Sequence, residues 1–124
     1  MHTETVSAKA LAYVGDAIWS LVVREALLKE GYSQGTTLQK KSIGYVSAKA
    51  QAKFYMSLHE AGYFTEEEEA QFHRGRNGHS GTVPKNTDAQ TYRLSTGFEA
   101  LLGYLYMENK EERIREILEK VRTL

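Results

Sequence analysis

Apolar residues recur along most of this chain at helical rather than alternating spacing. From Ser7 to about Glu30, Leu11, Val14, Ile18, Leu21 and Val22 share one face, and Ala12, Trp19 and Val23 make a second. A helix apolar nearly all round belongs at the centre of a fold. Ser7 can cap its start and Gly31 can end it. A short second helix is predicted from Thr36 or Thr37 through Leu38 to about Ile43. Ser47 begins a third, running through Phe54, Met56 and Leu58 and stopped at Gly62. Thr65 and Glu68 form a capping box for a fourth, ending near Gly75, with Glu66, Glu67, Glu68 and Glu69 at its positive end. Thr87 with Gln90 predicts the start of a fifth, carrying Leu94, Phe98, Leu101, Leu102 and Leu105. Asn109 with Glu112 predicts the start of the last, where Ile114, Ile117, Leu118 and Val121 form the single stripe of an amphipathic cover. Residues 75–86 lack any apolar period and hold Gly75, Gly78, Gly81 and Pro84, which predicts a long loop there.

The pattern predicts an all-α fold of about six to seven helices, and 124 residues are enough for one domain, 1–124. The chain has no cysteine, which excludes disulfides, zinc ribbons, iron–sulfur sites and thiol catalysis together. No apolar run approaches the roughly 18 residues that span a bilayer, and no signal-like stretch opens the chain, so no membrane partner and a cytoplasmic location are expected.

Sixteen basic residues balance sixteen acids, a net charge of zero that by itself argues against nucleic acid. The distribution reverses that impression. Residues 31–59 hold Lys40, Lys41, Lys49 and Lys53 and no acid, and residues 70–93 hold Arg74, Arg76, Lys85 and Arg93 against Asp88 alone. Charges are screened beyond about 8 Å at physiological salt, so local patches decide what binds. Each run also fits a solvated helix face.

Two acids stand where apolar residues are expected. Asp16 lies midway along the first helix, in AYVGDAIW, and Glu99 midway along the fifth, in STGFEALLGYLY. Small residues flank both, Ala12, Gly15 and Ala17 around Asp16 and Ser95 and Gly103 around Glu99, so the helices can approach closely or leave room for a ligand. Burying an ionised carboxylate costs several kcal/mol, roughly, unless something compensates. If the helices cross there, the two oxygens converge as hard ligands for Mg²⁺. A structural reading stays open for each: Asp16 paired with a buried cation, Glu99 idle at the surface. Asp88 is explained by its place in the first turn of its helix. The histidines at 2, 59, 73 and 79 show no metal-ligand spacing, and neither a His-Asp dipeptide nor a phosphate-loop pattern is present.

LAYVGDAIW resembles the signature helix of the ribonuclease III catalytic domain, and STGFEALLGYLYM resembles the second acidic helix of that family. VSAKAQAKF, RGRNGHSGTVPKNTDAQTYRLST and NKEER are similar to the short Mini-III branch, and the likeness covers about residues 7–122. The resemblance implies a homodimeric, Mg²⁺-dependent endoribonuclease for double-stranded RNA, with Mn²⁺ able to substitute. It implies Asp16 and Glu99 as the metal-holding catalytic acids, 5′-phosphate and 3′-hydroxyl ends with a short 3′ overhang, and maturation of the bacterial large-subunit (23S) ribosomal RNA precursor, with a ribosomal protein on the substrate as a further partner. The chain departs from full-length relatives, which carry glutamates seven and four residues before the Asp and an acid three before the Glu; here stand Lys9, Ala12 and Thr96. The length leaves no room for a separate double-stranded RNA-binding domain, so the catalytic domain is expected to grip the duplex itself. Arg74, Arg76, Asn77 and Lys85, with Lys40 and Lys49, are the expected RNA contacts. The alternative is a non-catalytic ribonuclease III-like module that binds RNA or ribosomes without cutting.

Overall fold

A computed structural model describes residues 2–78 and 88–124. After a single 3-10 turn, Thr3–Thr5, six helices follow: α1 Ala8–Lys29, α2 Gly35–Val46, α3 Ala48–Glu60, α4 Glu66–Asn77, α5 Ala89–Met107 and α6 Glu111–Val121. The described residues contain no strand, as an all-α pattern requires.

Local chemistry sets the boundaries. Ser7 accepts from the Ala10 N–H, and Ser47 both ends α2 and caps α3 by accepting from Ala50. Thr65 and Glu68 exchange the two bonds of a full capping box. Four helices have boundaries that differ from expectation. Helix α2 starts at Gly35, after Gln34, and runs to Val46 rather than ending near Ile43. The cap of α5 is Asp88, whose carboxylate accepts from the Thr91 N–H at 2.8 Å, while the expected cap Thr87 lies outside the described residues. Asn109 adopts φ 62° in the left-handed turn after α5, and α6 starts two residues later without a side-chain cap. Helix α4 continues to Asn77, so Gly75 is helical, and the rest of the expected loop, 79–86, lies outside the described residues.

The centre of the fold is α5 rather than α1. Ser95, Gly97, Phe98 and every residue from Ala100 to Leu105 are buried, and α1, α3, α4 and α6 all pack on this helix. Helix α1 buries Leu11, Ile18, Trp19, Val22, Val23 and Leu27 on one side. Its other side is open: Leu21, expected inside, is 60% exposed, beside Tyr13 and Leu28. Trp19 meets Phe98 edge-on at 5.2 Å and donates its indole N–H to the Tyr45 carbonyl, which ties α2 to the core.

The glutamate run is no uniform solvated face. Glu68 is buried, caps the Thr65 N–H and accepts two bonds from Arg113, at 2.7 and 2.8 Å, joining α4 to α6. Burial works against its charge, yet the guanidinium and the Thr65 donors outweigh it and hold the carboxyl below its usual range. Glu69 accepts from Tyr55 and pairs with His59, joining α4 to α3.

Candidate active site

The site is made by glycine at a helix crossing. A Cβ added to Gly15 would lie 1.7 Å from the Glu99 carbonyl oxygen, and one added to Gly103 would lie 1.8 Å from the Leu11 carbonyl oxygen. Helices α1 and α5 therefore touch backbone to backbone. Asp16 follows Gly15, and Glu99 is the residue Gly15 rests on, so the contact that packs the core also sets the two acids face to face. Asp16 is exposed rather than buried as expected, because it sits at the lip of the crossing, whereas Glu99 is half-buried. Burial pushes the Glu99 carboxyl up to about 8, helped by the charge of Asp16 and a hydrogen bond with it, while a bond from Gln51 works the other way.

Gln51 went unremarked in the sequence. It is 1% exposed on α3, its amide donates to Glu99 Oε2 at 3.4 Å, and its Oε1 accepts from the Ser95 hydroxyl at 2.7 Å. A signal was there: Gln51, Tyr55 and Leu58 share one helical face, so a polar residue occupies a core position.

Both acids open onto a cleft of about 380 Å³ between α1, α5 and the end of α4. Lys9, Ala12 and Thr96, the positions where the resemblance implies acids in full-length relatives, all line it, with Tyr13 and Tyr92. Gly75 sits against Gly97 and Ala100, which brings the end of α4 to the cleft wall.

The basic residues separate. Arg76 and Asn77 are exposed between the lining residues Gly75 and Gly78 and are hydrogen-bonded to each other at 3.2 Å. The Arg74 guanidinium is half-buried and donates to the Thr3 and Val6 carbonyls, strapping the N-terminal segment to α4. Lys40 and Lys49 are exposed on α2 and α3. Lys41 lies over the Tyr32 ring at 4.5 Å, and Lys85 falls outside the described residues.

Among the described residues, no three His, Cys, Asp or Glu side chains gather to enclose a metal. Two carboxylates still suit Mg²⁺, which usually keeps several waters and takes one or two carboxylates plus substrate phosphates. The chemistry of Glu99 suits the fit: burial first and the Asp16 charge second disfavour its ionised form, and a divalent cation held by the two acids would favour that form.

The comparisons with known proteins agree with this frame. Residues 9–110 match the Ribonuclease III domain family. A crystal structure of a protein from Fusobacterium nucleatum superposes with a TM-score of 0.82 at 33% identity, covering 95% of this chain and 93% of that one. The class is thus defined: the chain belongs to the ribonuclease III family. Mini-ribonuclease 3 from Enterococcus faecalis is 45% identical over 88% of this chain and 83% of its own. The Staphylococcus aureus protein of that name is 42% identical over 99% and 92%. Within the family, this chain is a member of the Mini-III branch. No helix among its described residues is long and apolar enough to cross a membrane.

Proposed function

We propose that this chain is a Mg²⁺-dependent endoribonuclease cleaving double-stranded RNA, with Mn²⁺ able to replace Mg²⁺. The observation that carries the reading is the meeting of Asp16 and Glu99 on an open cleft, a placement made by Gly15 at the α1–α5 crossing. Asp16 and Glu99 would hold the metal. Bound there, Mg²⁺ supplies polarisation of the scissile phosphate and a water acidic enough to attack at neutral pH. Asp16, at the exposed lip, reaches the substrate side, and half-buried Glu99 anchors from below. Lys9 presents a cation to phosphate at the wall of the same cleft.

A-form RNA offers phosphates and 2′-hydroxyls across a shallow minor groove. Arg76 and Asn77 at the cleft rim, Lys40 and Lys49 on α2 and α3, and Lys85 are the proposed backbone contacts. Arg74 serves that surface by holding the N-terminal segment in place. The active species is a homodimer. Leu21 and Leu28 on α1 and Ile43 on α2 are more than half exposed, and Leu28 and Ile43 line one groove, an apolar surface that a second copy covers. Two sites then face one duplex and leave 5′-phosphate and 3′-hydroxyl ends with a short 3′ overhang. The proposed biological substrate is the bacterial large-subunit (23S) ribosomal RNA precursor in the cytoplasm, with a ribosomal protein bound to it; the bacterial relatives named Mini-ribonuclease 3 support the ribonuclease part of this reading.

The test is incubation of a structured RNA duplex with the protein and Mg²⁺, with EDTA as control and end mapping of the products. Asp16→Asn is expected to lower cleavage at least 100-fold, on the order expected when a metal ligand is lost, while duplex binding by mobility shift is retained. Full activity of this variant would remove the mechanism. A non-catalytic RNA- or ribosome-binding module is the second reading, favoured by the sparse acid set. Duplex binding by the wild-type protein without any Mg²⁺-dependent cutting would select it.

A further inference from the structure

Gln51 and Ser95, which form a chain of hydrogen bonds to Glu99, have no part in the function described so far. Gln51 projects from α3, where its helical neighbours Ala52, Tyr55 and Leu58 are buried and mostly apolar, into the underside of the site. An amide enclosed at 1% exposure is costly unless both of its ends are satisfied. Both ends are spent on one helix, a turn apart: Oε1 accepts from Ser95 and the NH₂ group donates to Glu99. The Ser95 hydroxyl, itself 6% exposed, sets the orientation of the amide. With the amide oxygen taken by Ser95, only the donor end is left for the carboxylate. Glu99 Oε2 is thereby held by a donor from α3, while the same side chain lines the cleft.

We infer that Gln51 is a positioning residue for the metal site, with Ser95 as its orienting partner: it restricts the Glu99 carboxylate to the rotation that presents an oxygen to the cation. This rests on the reading of Glu99 as a metal ligand. Ligating carboxylates elsewhere are themselves hydrogen-bonded, and loss of such a partner costs about 10- to 100-fold in metal affinity or activity.

Gln51→Met keeps the length and burial of the side chain but removes the donor. The Mg²⁺ concentration for half-maximal cleavage is expected to rise by about 10- to 100-fold, with the duplex KM at saturating Mg²⁺ unchanged. Independently of activity, the rise in Tm that Mn²⁺ produces without RNA is expected to shrink. Unchanged Mg²⁺ dependence and an unchanged Mn²⁺ effect would overturn the inference. If Gln51→Met does not fold, Ser95→Ala removes only the orienting donor; the same shift in smaller degree is expected, and its absence would equally overturn the proposal. Wild-type cleavage that persists in EDTA would overturn both this inference and the metal reading beneath it, whereas metal-dependent wild-type cleavage with unaltered Gln51 and Ser95 variants would sink the inference alone.

Discussion

At the scale of single residues, the site gathers opposing demands on one carboxyl. Burial and the facing Asp16 both disfavour the charged form of Glu99 and push its pKa up to about 8, against an unfolded value of about 4.3. Between those values the metal-free native state holds a proton that the unfolded chain has released, so stability falls as pH rises through this window. The destabilisation is complete above pH 8, where a divalent cation held by the two acids would relieve it. The expected outcome, read by thermal unfolding with and without Mg²⁺, is a larger metal-induced rise in Tm at pH 8.5 than at pH 6. An equal rise at both would show that the cation does not engage Glu99. Asp16 and Glu99 were legible in the sequence because a carboxylate is conspicuous in an apolar helix. Gln51 was not, since a neutral amide breaks the pattern less and its meaning lies in partners 44 and 48 positions away. Arg74 shows the opposite case: the sequence displays its charge, but only packing reveals that its guanidinium makes bonds to the Thr3 and Val6 carbonyls.

Elements depend on glycine in opposite ways at different places. Gly15 and Gly103 exist so that α1 and α5 can touch, and a methyl group at either would collide with backbone, which cannot move aside as a side-chain tip can. Gly44, inside α2, has nothing within 4 Å of an added Cβ and only weakens its helix. Gly15→Ala is therefore expected to lower unfolding stability by about 3 kcal/mol or more and to abolish cleavage, because the acids part with the helices. Gly44→Ala is expected to raise stability by about 1 kcal/mol. Chemical denaturation of the pair checks both signs, and a stabilised Gly15→Ala would contradict the crossing described here. The six helices of the described residues, and the caps of α1, α3 and α4, were readable from spacing. The reading slipped where capping chemistry was shared or spent otherwise: Asp88, beside Thr87, caps α5, Asn109 takes the left-handed turn after α5 instead of capping α6, and α2 starts at Gly35 without a side-chain cap.

For the whole molecule, the neutral charge and the apolar α1 stripe take their meaning from what faces outward. Leu21, read from spacing as core, lies on the side of α1 that α5 leaves open, in line with Leu28 and near the Ile43 groove. Leu28→Asp is expected to convert a dimer to a monomer in sedimentation while leaving the helical circular dichroism unchanged. A dimer that survives the change would move the subunit contact elsewhere. The negative half of the charge is likewise partly internal, with Glu68 closed against Arg113 between α4 and α6 and Glu69 against Tyr55 and His59. Fewer acids than the count implies are therefore left to repel a polyanion.

From the sequence by itself follow the helical class, the single core, the approximate ends of each helix, the two acids and the family likeness. These follow from spacing, capping chemistry and residue type, which are local. Only the tertiary structure decided that α5 rather than α1 lies at the centre, that Asp16 is exposed above a half-buried Glu99, and that Gln51 and Ser95 stand beneath them. Those facts depend on which of two apolar faces is covered and on the backbones of Gly15 and Glu99 meeting although they stand 84 positions apart, a separation over which no local pattern carries information.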